Sequence, residues 1–166
     1  MKNISLNVYS DDQDSAIFLI QSFWKEHNGN EISIDDAKED LQEWTSQNHR
    51  FYFILESKQA VGFVHLASRG GSIDWVEDLF VLPPYQGQGI GSYALKLVEE
   101  LVRTYSESLY IEVAARNNKA LRLYEKVGFD CLNTLTLRKD FDTSHLETIG
   151  TQKVMDASFD IRRMKQ

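Results

Sequence analysis

The amino-acid sequence predicts a mixed α/β fold, with a mostly antiparallel central sheet and helices on both faces. Strand-like segments and amphipathic helix-like segments occur in a mixed order along the chain, which favours a sheet covered by helices. Three strand-like segments also follow one another across short turns, a pattern typical of antiparallel pairing. Because no linker, internal repeat or low-complexity tract interrupts these elements, we expect a single domain over residues 1–166.

The first part of the chain predicts one strand and two helices. ISLNVY, residues 4–9, alternates between apolar and polar residues as a half-buried strand does. A capping-box-like pattern at Ser10 predicts the start of the first helix. A second such pattern at Ser33 opens a helix over 34–46, whose early acidic residues suit the positive end of the helix dipole.

Three successive strands are predicted next, joined by the short turns SKQ and RGG. We place these strands at 50–57, 60–68 and 72–82. A helix is expected over 89–105, because apolar residues recur there at helical spacing and form one stripe that includes Tyr105.

The last third of the chain is less regular. It predicts a strand over 108–115 and a helix over 117–128 that Gly128 closes. FDCLNTLTLRKD, residues 129–140, indicates one or two further strands. Beyond that point only SFDIRRM, residues 158–164, has a strand-like pattern, and we interpret it as a final strand.

The composition is acidic, with a formal net charge of −7. Nucleic-acid binding depends on Lys and Arg side chains that neutralise phosphates, so this charge argues against a nucleic-acid partner. It is compatible with a cationic small molecule. An acidic surface also keeps many proteins in solution, so the charge alone does not choose a function.

Other global features indicate a cytoplasmic protein without a membrane partner. No apolar run approaches the ~18 residues of a membrane span, and MKNISLNVYSDD lacks the apolar core of a secretory signal. The single cysteine, Cys131, fits a reducing compartment, and we expect it to be a small buried core residue. The histidines show no metal-ligand spacing, so we predict no metal site and assign no chemistry to them: His27, His49, His65 and His145.

A glycine-rich loop precedes the third predicted helix, in the stretch PPYQGQGIGS. Unpaired amides and the positive end of a helix dipole can receive an anion there, although a tight turn would use the same glycines. The loop has no Gly-Lys-Ser/Thr ending, which a P-loop requires. A dinucleotide fingerprint would need glycine where Ser92 stands, and the acidic residues of the preceding strand also disfavour it.

Two motifs together resemble the GNAT N-acetyltransferases. Gln86-x-x-Gly89-x-Gly91, after a strand that ends EDLFVLPPY, is similar to the acyl-CoA pyrophosphate loop of that family. NNKALRLYEKVGF, residues 117–129, resembles its second signature, and the order of elements is also the family's. The resemblance covers roughly residues 4–140, and VEDLFVLPPYQGQGIGS is especially similar to the spermidine/spermine acetyltransferase branch.

This resemblance implies acetyl-CoA as co-substrate, bound between two splayed parallel strands, here 72–82 and 108–115. The loop amides would hold the pyrophosphate, the backbone of the first strand would pair with the pantetheine arm, and Asn117 would bond that arm. The implied cofactor-binding residues are Leu79, Phe80, Val81, Gln86, Gly87, Gln88, Gly89, Ile90, Gly91, Ser92, Asn117, Lys119 and Ala120.

Glu77 and Tyr124 are the catalytic residues that the resemblance implies. Glu77 would orient the acceptor ammonium and pass its proton through water, with a pKa that burial raises. Tyr124 would act as the general acid toward the departing CoA sulfur. Both residues stand at the family's positions in this sequence.

The implied acceptor is a small cationic amine, such as a polyamine, an aminoglycoside-like compound or an amino-acid derivative. A protein or peptide N-acetyltransferase and a non-catalytic acyl-CoA-binding module remain as alternatives. Homodimers are common in the family, so a homodimer is possible. The candidate acceptor-binding residues are Glu77, Tyr110, Ile111, Glu112 and Trp24, and Trp44 could line the same cleft.

Overall fold

The computed structural model describes residues 3–165, which form two compact units. The first unit extends to Glu112 and the second begins at Val113. The expected fold class is confirmed, since a mostly antiparallel sheet with one parallel strand pair is combined with four helices. The assignment of the whole chain to a single domain stays a prediction.

The first unit contains five strands and three helices. Its sheet has the order β1-β2-β3-β4-β5, in which β4 and β5 are parallel and every other neighbouring pair is antiparallel. The elements are β1 (Ile4–Val8), α1 (Gln13–Asn28), α2 (Ile34–Trp44), β2 (His49–Glu56), β3 (Gln59–Ser68), β4 (Ile73–Val81), α3 (Ile90–Val102) and β5 (Tyr110–Ile111).

The helix starts follow local hydrogen bonding. The predicted capping box at Ser33 is present, because its hydroxyl accepts from the Asp36 amide and the Asp36 carboxylate accepts in return from Ser33. The predicted start of α1 at Ser10 is wrong, because Asp12 caps that helix through the amide of Ser15. The helix therefore begins two residues later in the chain.

Helices cover both faces of the sheet. On one face, α1 and α2 pack on an aromatic cluster of the strands. The central strand β3 is buried almost throughout, which requires a second cover on the opposite face, and the apolar stripe of α3 provides it. The aromatic members of the first cluster are Phe23, Trp44, Phe51, Phe53, Phe63 and Phe80.

A β-bulge interrupts β4 at Glu77. His65 pairs with Asp78 while the next residue of β3, Leu66, pairs with Val76, so Glu77 is an extra residue in its strand. A bulge bends and twists the strand that carries it. The parallel ladder with β5 ends at Val76 and therefore stops where the bulge begins.

The predicted strand over 108–115 is consequently much shorter than expected. Only Tyr110 and Ile111 form strand pairs, and the ladder stops where the bulge in β4 begins. Tyr105, which we predicted on the α3 stripe, lies beyond the helix end and is exposed. Its hydroxyl donates to the carbonyl oxygen of Ile73 at 2.7 Å instead of entering the core.

The second unit contains one helix and a two-stranded antiparallel hairpin. These are α4 (Asn118–Val127), β6 (Leu146–Val154) and β7 (Ala157–Met164). The last strand was predicted, whereas β6 was missed because its sequence, LETIGTQKV, is polar and carries a central glycine. The strands expected over 129–140 are absent from the structure, and Cys131 in that segment is exposed, not buried as predicted.

Within residues 3–165, no helix is both long enough and apolar enough to cross a membrane.

Candidate active site

The glycine loop adopts a conformation that side chains disfavour. After a single helical turn at Pro83–Tyr85, Gly87 and Gly89 have φ values of +71° and +83°. A Cβ at either position would meet no atom within 4 Å. The positive φ angles therefore require glycine at these positions, whereas packing would leave room for a side chain. Open space lies in front of both glycines.

Helix α3 begins directly after this loop and has no side-chain cap. Gly89 is its N-cap residue, and the first amide of the helix to bond within it is that of Tyr93, which donates to Gly89. The amides of residues 90–92 precede that bond and belong to the positive end of the helix dipole. A negatively charged diphosphate fits this arrangement, because the amides can donate to it and no Cβ blocks its approach.

Two glutamines of the loop bond backbone carbonyls that precede it in the chain. The side-chain amide of Gln86 donates to the carbonyl oxygen of Val81 at 2.9 Å, and that of Gln88 donates to Pro84 at 2.8 Å. Sequence analysis expected these residues at the cofactor. In the structure, Gln86 ties the loop to β4 and Gln88 ties it to the helical turn that follows the strand.

The end of β4 presents an open backbone edge. Antiparallel pairing uses alternate residues, and the amide of Leu82 donates to Val61 of the β3 side at 2.9 Å. By that alternation, Leu79 and Val81 direct their backbone groups to the opposite edge, where β5 no longer pairs. The Val81 carbonyl accepts a hydrogen bond from Gln86, as expected for a carbonyl that points away from β3.

A groove of about 230 Å³ lies beside this edge. Helix α1 contributes one wall, and the end of β4 with the start of the loop contributes the other. Its lining residues are Phe23, Glu26, His27, Leu79, Phe80 and Gln86.

Arg69, in the turn between β3 and β4, joins two of the predicted site carboxylates. Its guanidinium donates to both carboxylate oxygens of Glu77 at 2.7 Å and to Glu112 at 3.0 to 3.1 Å. The same group lies 4.0 Å from the centre of the Trp75 ring, a cation–π contact. The Trp75 ring in turn stacks on Tyr110 at 4.9 Å. The structure thus brings Glu77 and Glu112 together around one cation, and Tyr110 lies against the Trp75 ring that also contacts this cation.

The expectation that burial raises the pKa of Glu77 is wrong. Hydrogen bonds from the Arg69 guanidinium lower that pKa, and this effect exceeds the opposing effect of burial. Glu77 is therefore an ionised carboxylate at neutral pH and a weak proton acceptor. Sequence analysis missed Arg69, and the available signal was its place across a tight hairpin from the acidic strand.

Trp24 and Trp44, the tryptophans predicted at the acceptor cleft, contact other residues of the first unit. The indole N–H of Trp24 donates to the carboxylate of Asp40 at 2.7 Å and so links α1 to α2. Trp44 is buried and stacks on the His65 ring at 4.7 Å. A role for either residue in the acceptor cleft stays a prediction.

The remaining predicted site residues belong to the second unit and are described within it. The side chain of Asn117 caps α4 by accepting from the amide of Ala120 at 3.1 Å, with Lys119 in the same first turn. The Tyr124 ring packs on Phe129, with 5.8 Å between ring centres. Its backbone carbonyl accepts from the two residues that close the helix.

The described residues hold no group of three or more His, Cys, Asp or Glu side chains that could bind a metal ion.

Comparison with known proteins identifies one family. The model described as the acetyltransferase (GNAT) family matches residues 16–129. The mycothiol acetyltransferase of Renibacterium salmoninarum is 30% identical over 137 residues, 76% of this chain and 40% of its own length. The spermine/spermidine N(1)-acetyltransferase of Bacillus subtilis is 35% identical over 57 residues, 33% of this chain and 38% of its own length.

A third relative acts on a protein. The alanine N-acetyltransferase of ribosomal protein bS18 from Escherichia coli K12 is 38% identical over 65 residues, 39% of this chain and 42% of its own length. The matched segments thus span less than half the length of these relatives.

Solved structures share the fold. The aminoglycoside acetyltransferase meta-AAC0020, from an uncultured soil metagenomic sample, has a TM-score of 0.67 at 19% identity, over 82% of this chain and 95% of that one. AAC(6')-Iy, solved with a bisubstrate analog of CoA and acetylneamine, has a TM-score of 0.66 at 13% identity, over 83% and 98%.

Proposed function

The chain belongs to the GNAT family of acetyltransferases, and from this premise we propose that it transfers an acetyl group from acetyl-CoA to a primary amine of a small cationic acceptor. One observation carries the choice of acceptor. The protein holds a cation of its own, the Arg69 guanidinium, between two carboxylates and an aromatic face. An ammonium group has the charge and the donors that the same groups bind.

Acetyl-CoA supplies an activated acetyl thioester. The amides of residues 87–92 would hold its pyrophosphate, and the open edge at Leu79 and Val81 would pair with its pantetheine arm. Where an amide of this edge donates to the thioester carbonyl, it stabilises developing negative charge, a contribution of about 3 kcal/mol for one donor. The cofactor-binding roles of Asn117, Lys119 and Ala120 stay predictions from the sequence.

The acceptor amine must lose a proton before it can attack. An alkylammonium with a pKa near 10.4 is neutral in about one molecule per 2,500 at pH 7, a cost of ~4.6 kcal/mol. We assign Glu77 the role of orienting the ammonium by charge, because its lowered pKa makes it a poor base. Tyr124 donates a hydrogen bond to the departing sulfur. This hydrogen bond makes the larger contribution of Tyr124 to catalysis and full proton transfer the smaller one, because a phenol is a weaker acid than a thiol.

The polyamine and aminoglycoside relatives support a small amine, while the ribosomal-protein relative supports a basic peptide as the second candidate. A cytoplasmic location and a homodimer stay predictions from the sequence.

The experiment that tests this proposal is thiol release from acetyl-CoA with a panel of acceptors. The panel contains spermidine, an aminoglycoside, an amino-acid amide and a basic peptide, each with an uncharged alcohol analogue as its control. We expect turnover with cationic amines and none with the alcohols. Turnover with the peptide alone would favour the second candidate, and no release with any acceptor would indicate a binding module.

In the same assay, Arg69→Gln is expected to lower KM for the cationic amine roughly tenfold. In this variant the acceptor no longer competes with the Arg69 guanidinium for Glu77 and Glu112. A hydrogen bond to a charged group contributes about 1.5 kcal/mol or more. Arg103→Gln is the matched control, because it breaks an exposed ion pair to Glu99 on the surface of α3. A higher KM in Arg69→Gln alone would show that the acceptor does not replace this cation.

A further inference from the structure

Three side chains of neighbouring strands form one chain of hydrogen bonds. Asp78 Oδ2 lies 2.9 Å from His65 Nδ1, and His65 Nε2 lies 2.8 Å from His49 Nδ1. The sheet register explains this contact, because His65 pairs with Asp78 across β3 and β4. His49 pairs with Ala67, two residues along β3, and so lies diagonally across from His65 on the same face.

Packing holds the central histidine in place. His65 is 3% exposed and is the one buried polar residue among residues 3–165. The Trp44 ring stacks on it, with 4.7 Å between ring centres, and the His49 ring lies nearly coplanar with it at its Nε2 edge. Both ring nitrogens of His65 are therefore committed to the two hydrogen bonds of the chain.

The direction of these bonds follows from the chemistry of the groups. An ionised carboxylate only accepts hydrogen bonds, so the proton of neutral His65 is on Nδ1. Its Nε2 then has a lone pair and must accept, which places the proton of His49 on Nδ1. Neutral His49 is left with a lone pair on Nε2, and no described residue is bonded to that atom.

The surroundings of His49 keep it neutral. Burial is the main cause that lowers the pKa of His49, and a positive charge on His65 would lower it further. The charges of Glu43 on α2 and Glu77 on β4 act in the opposite direction but are smaller effects. Arg50 bonds the backbone carbonyl of His49 at 2.6 Å. His49 itself is half-buried.

We propose that Nε2 of His49 accepts the proton that the acceptor ammonium releases, and that Asp78 and His65 are positioning residues that fix the tautomer of His49. This inference rests on the proposed acetyl transfer. Glu77 does not supply the same function, because hydrogen bonds from a cation lower the pKa of its carboxylate and make it a weak proton acceptor. Glu77 is the extra residue of the bulge directly before Asp78, so the ammonium that it orients lies next to the strand position that bonds His65.

The proton balance is complete without another reactant. One N–H bond of the ammonium breaks, its electron pair stays on nitrogen, and the proton binds Nε2 of His49. The imidazolium formed is stabilised through His65 by the negative charge of Asp78 and then returns the proton to water. Overall, an ammonium and acetyl-CoA give the N-acetyl amine, the CoA thiol and one proton.

The first test is independent of catalysis and uses the full chain with nitrogen-15-labelled histidine. NMR is expected to show both His49 and His65 as the Nδ1–H tautomer near neutral pH. Asp78→Asn is expected to abolish this single tautomer at both rings, because the neutral amide can donate as well as accept. Near-UV circular dichroism of Trp44, which stacks on His65, reports whether the variant stays folded. An Nε2–H tautomer of His49 in the wild type overturns the inference.

The second test is the pH profile of kcat/KM with the best amine of the acceptor panel. Because the pKa of His49 is lowered, the wild-type rate is expected to fall only below the ordinary histidine range, as Nε2 becomes protonated. His49→Gln is expected to lose this acidic limb and to be about 100-fold slower at neutral pH. His145→Gln, which removes a histidine outside the hydrogen-bonded chain, should retain the wild-type profile.

The outcomes separate the two proposals. A wild-type rate and acidic limb in His49→Gln overturn the role of His49 and leave acetyl transfer standing. No turnover with any amine overturns the proposed function, and the role of His49 with it, whatever tautomers NMR shows.

Discussion

Gly89→Val is expected to weaken CoA binding roughly 10- to 100-fold in a protein that still folds. The substitution places a branched side chain in the open space before the first amides of α3. The diphosphate would lose hydrogen bonds of about 1.5–3 kcal/mol, the range for bonds to charged groups. Isothermal titration calorimetry with CoA measures this loss directly, and circular dichroism checks the fold.

Gly29→Val is the matched control for backbone strain. Gly29 closes α1 with φ +74°, close to the +83° of Gly89, and a Cβ there also meets no atom within 4 Å. Both variants therefore carry a similar strain, of order 1–3 kcal/mol. We expect normal CoA affinity in Gly29→Val. Equal losses in the two variants would indicate that strain, not a phosphate cradle, explains the result.

Tyr124→Phe is expected to reduce kcat about 100-fold and to leave CoA affinity unchanged. The variant removes one oxygen and keeps the ring that packs on Phe129, so α4 should retain its structure. Only the hydrogen bond to the departing sulfur is lost, and positioned proton donors contribute ~100-fold or more to rates. Steady-state kinetics with the best amine, together with calorimetry, separates the two quantities.

Tyr9→Phe is the corresponding control, because the Tyr9 ring packs edge-on against Phe51 in the first unit. Its kcat should equal that of the wild type. A wild-type kcat in Tyr124→Phe would remove this residue from the mechanism, and a loss of CoA affinity in parallel with kcat would indicate a binding role.

Features set by neighbouring residues could be predicted from the sequence. Ser33 and Asp36 form a capping box within a single turn, and Gly87 and Gly89 fix the loop by their own dihedral angles. The three central strands were placed to within a residue or two, because alternating burial and short turns are visible in the sequence.

Features set by distant residues could not be predicted in this way. The bulge at Glu77 depends on how β4 pairs with β3, and it ends the ladder to β5 that the strand pattern had extended to residue 115. The ion pair of Arg69 with Glu112 joins residues far apart in the chain. The hydrogen bonds from Arg69 to Glu77 reverse the expected pKa shift of Glu77, since burial alone had been considered.

The histidines illustrate the same limit. Spacing along the chain excluded a metal-ligand pattern and gave no other signal for His49 and His65. Their contact depends on strands β2 and β3 lying side by side, and Asp78 joins them only through the register of β4. Tertiary pairing therefore creates the hydrogen-bonded chain that the sequence does not display.

The most direct measurement of the central claim is a crystal structure of this protein with CoA bound. We predict that the pyrophosphate accepts hydrogen bonds from backbone amides of residues 87–92 and that the pantetheine arm lies along Leu79 and Val81. A pyrophosphate bound elsewhere on the chain, with those amides turned toward other protein groups, would contradict this account.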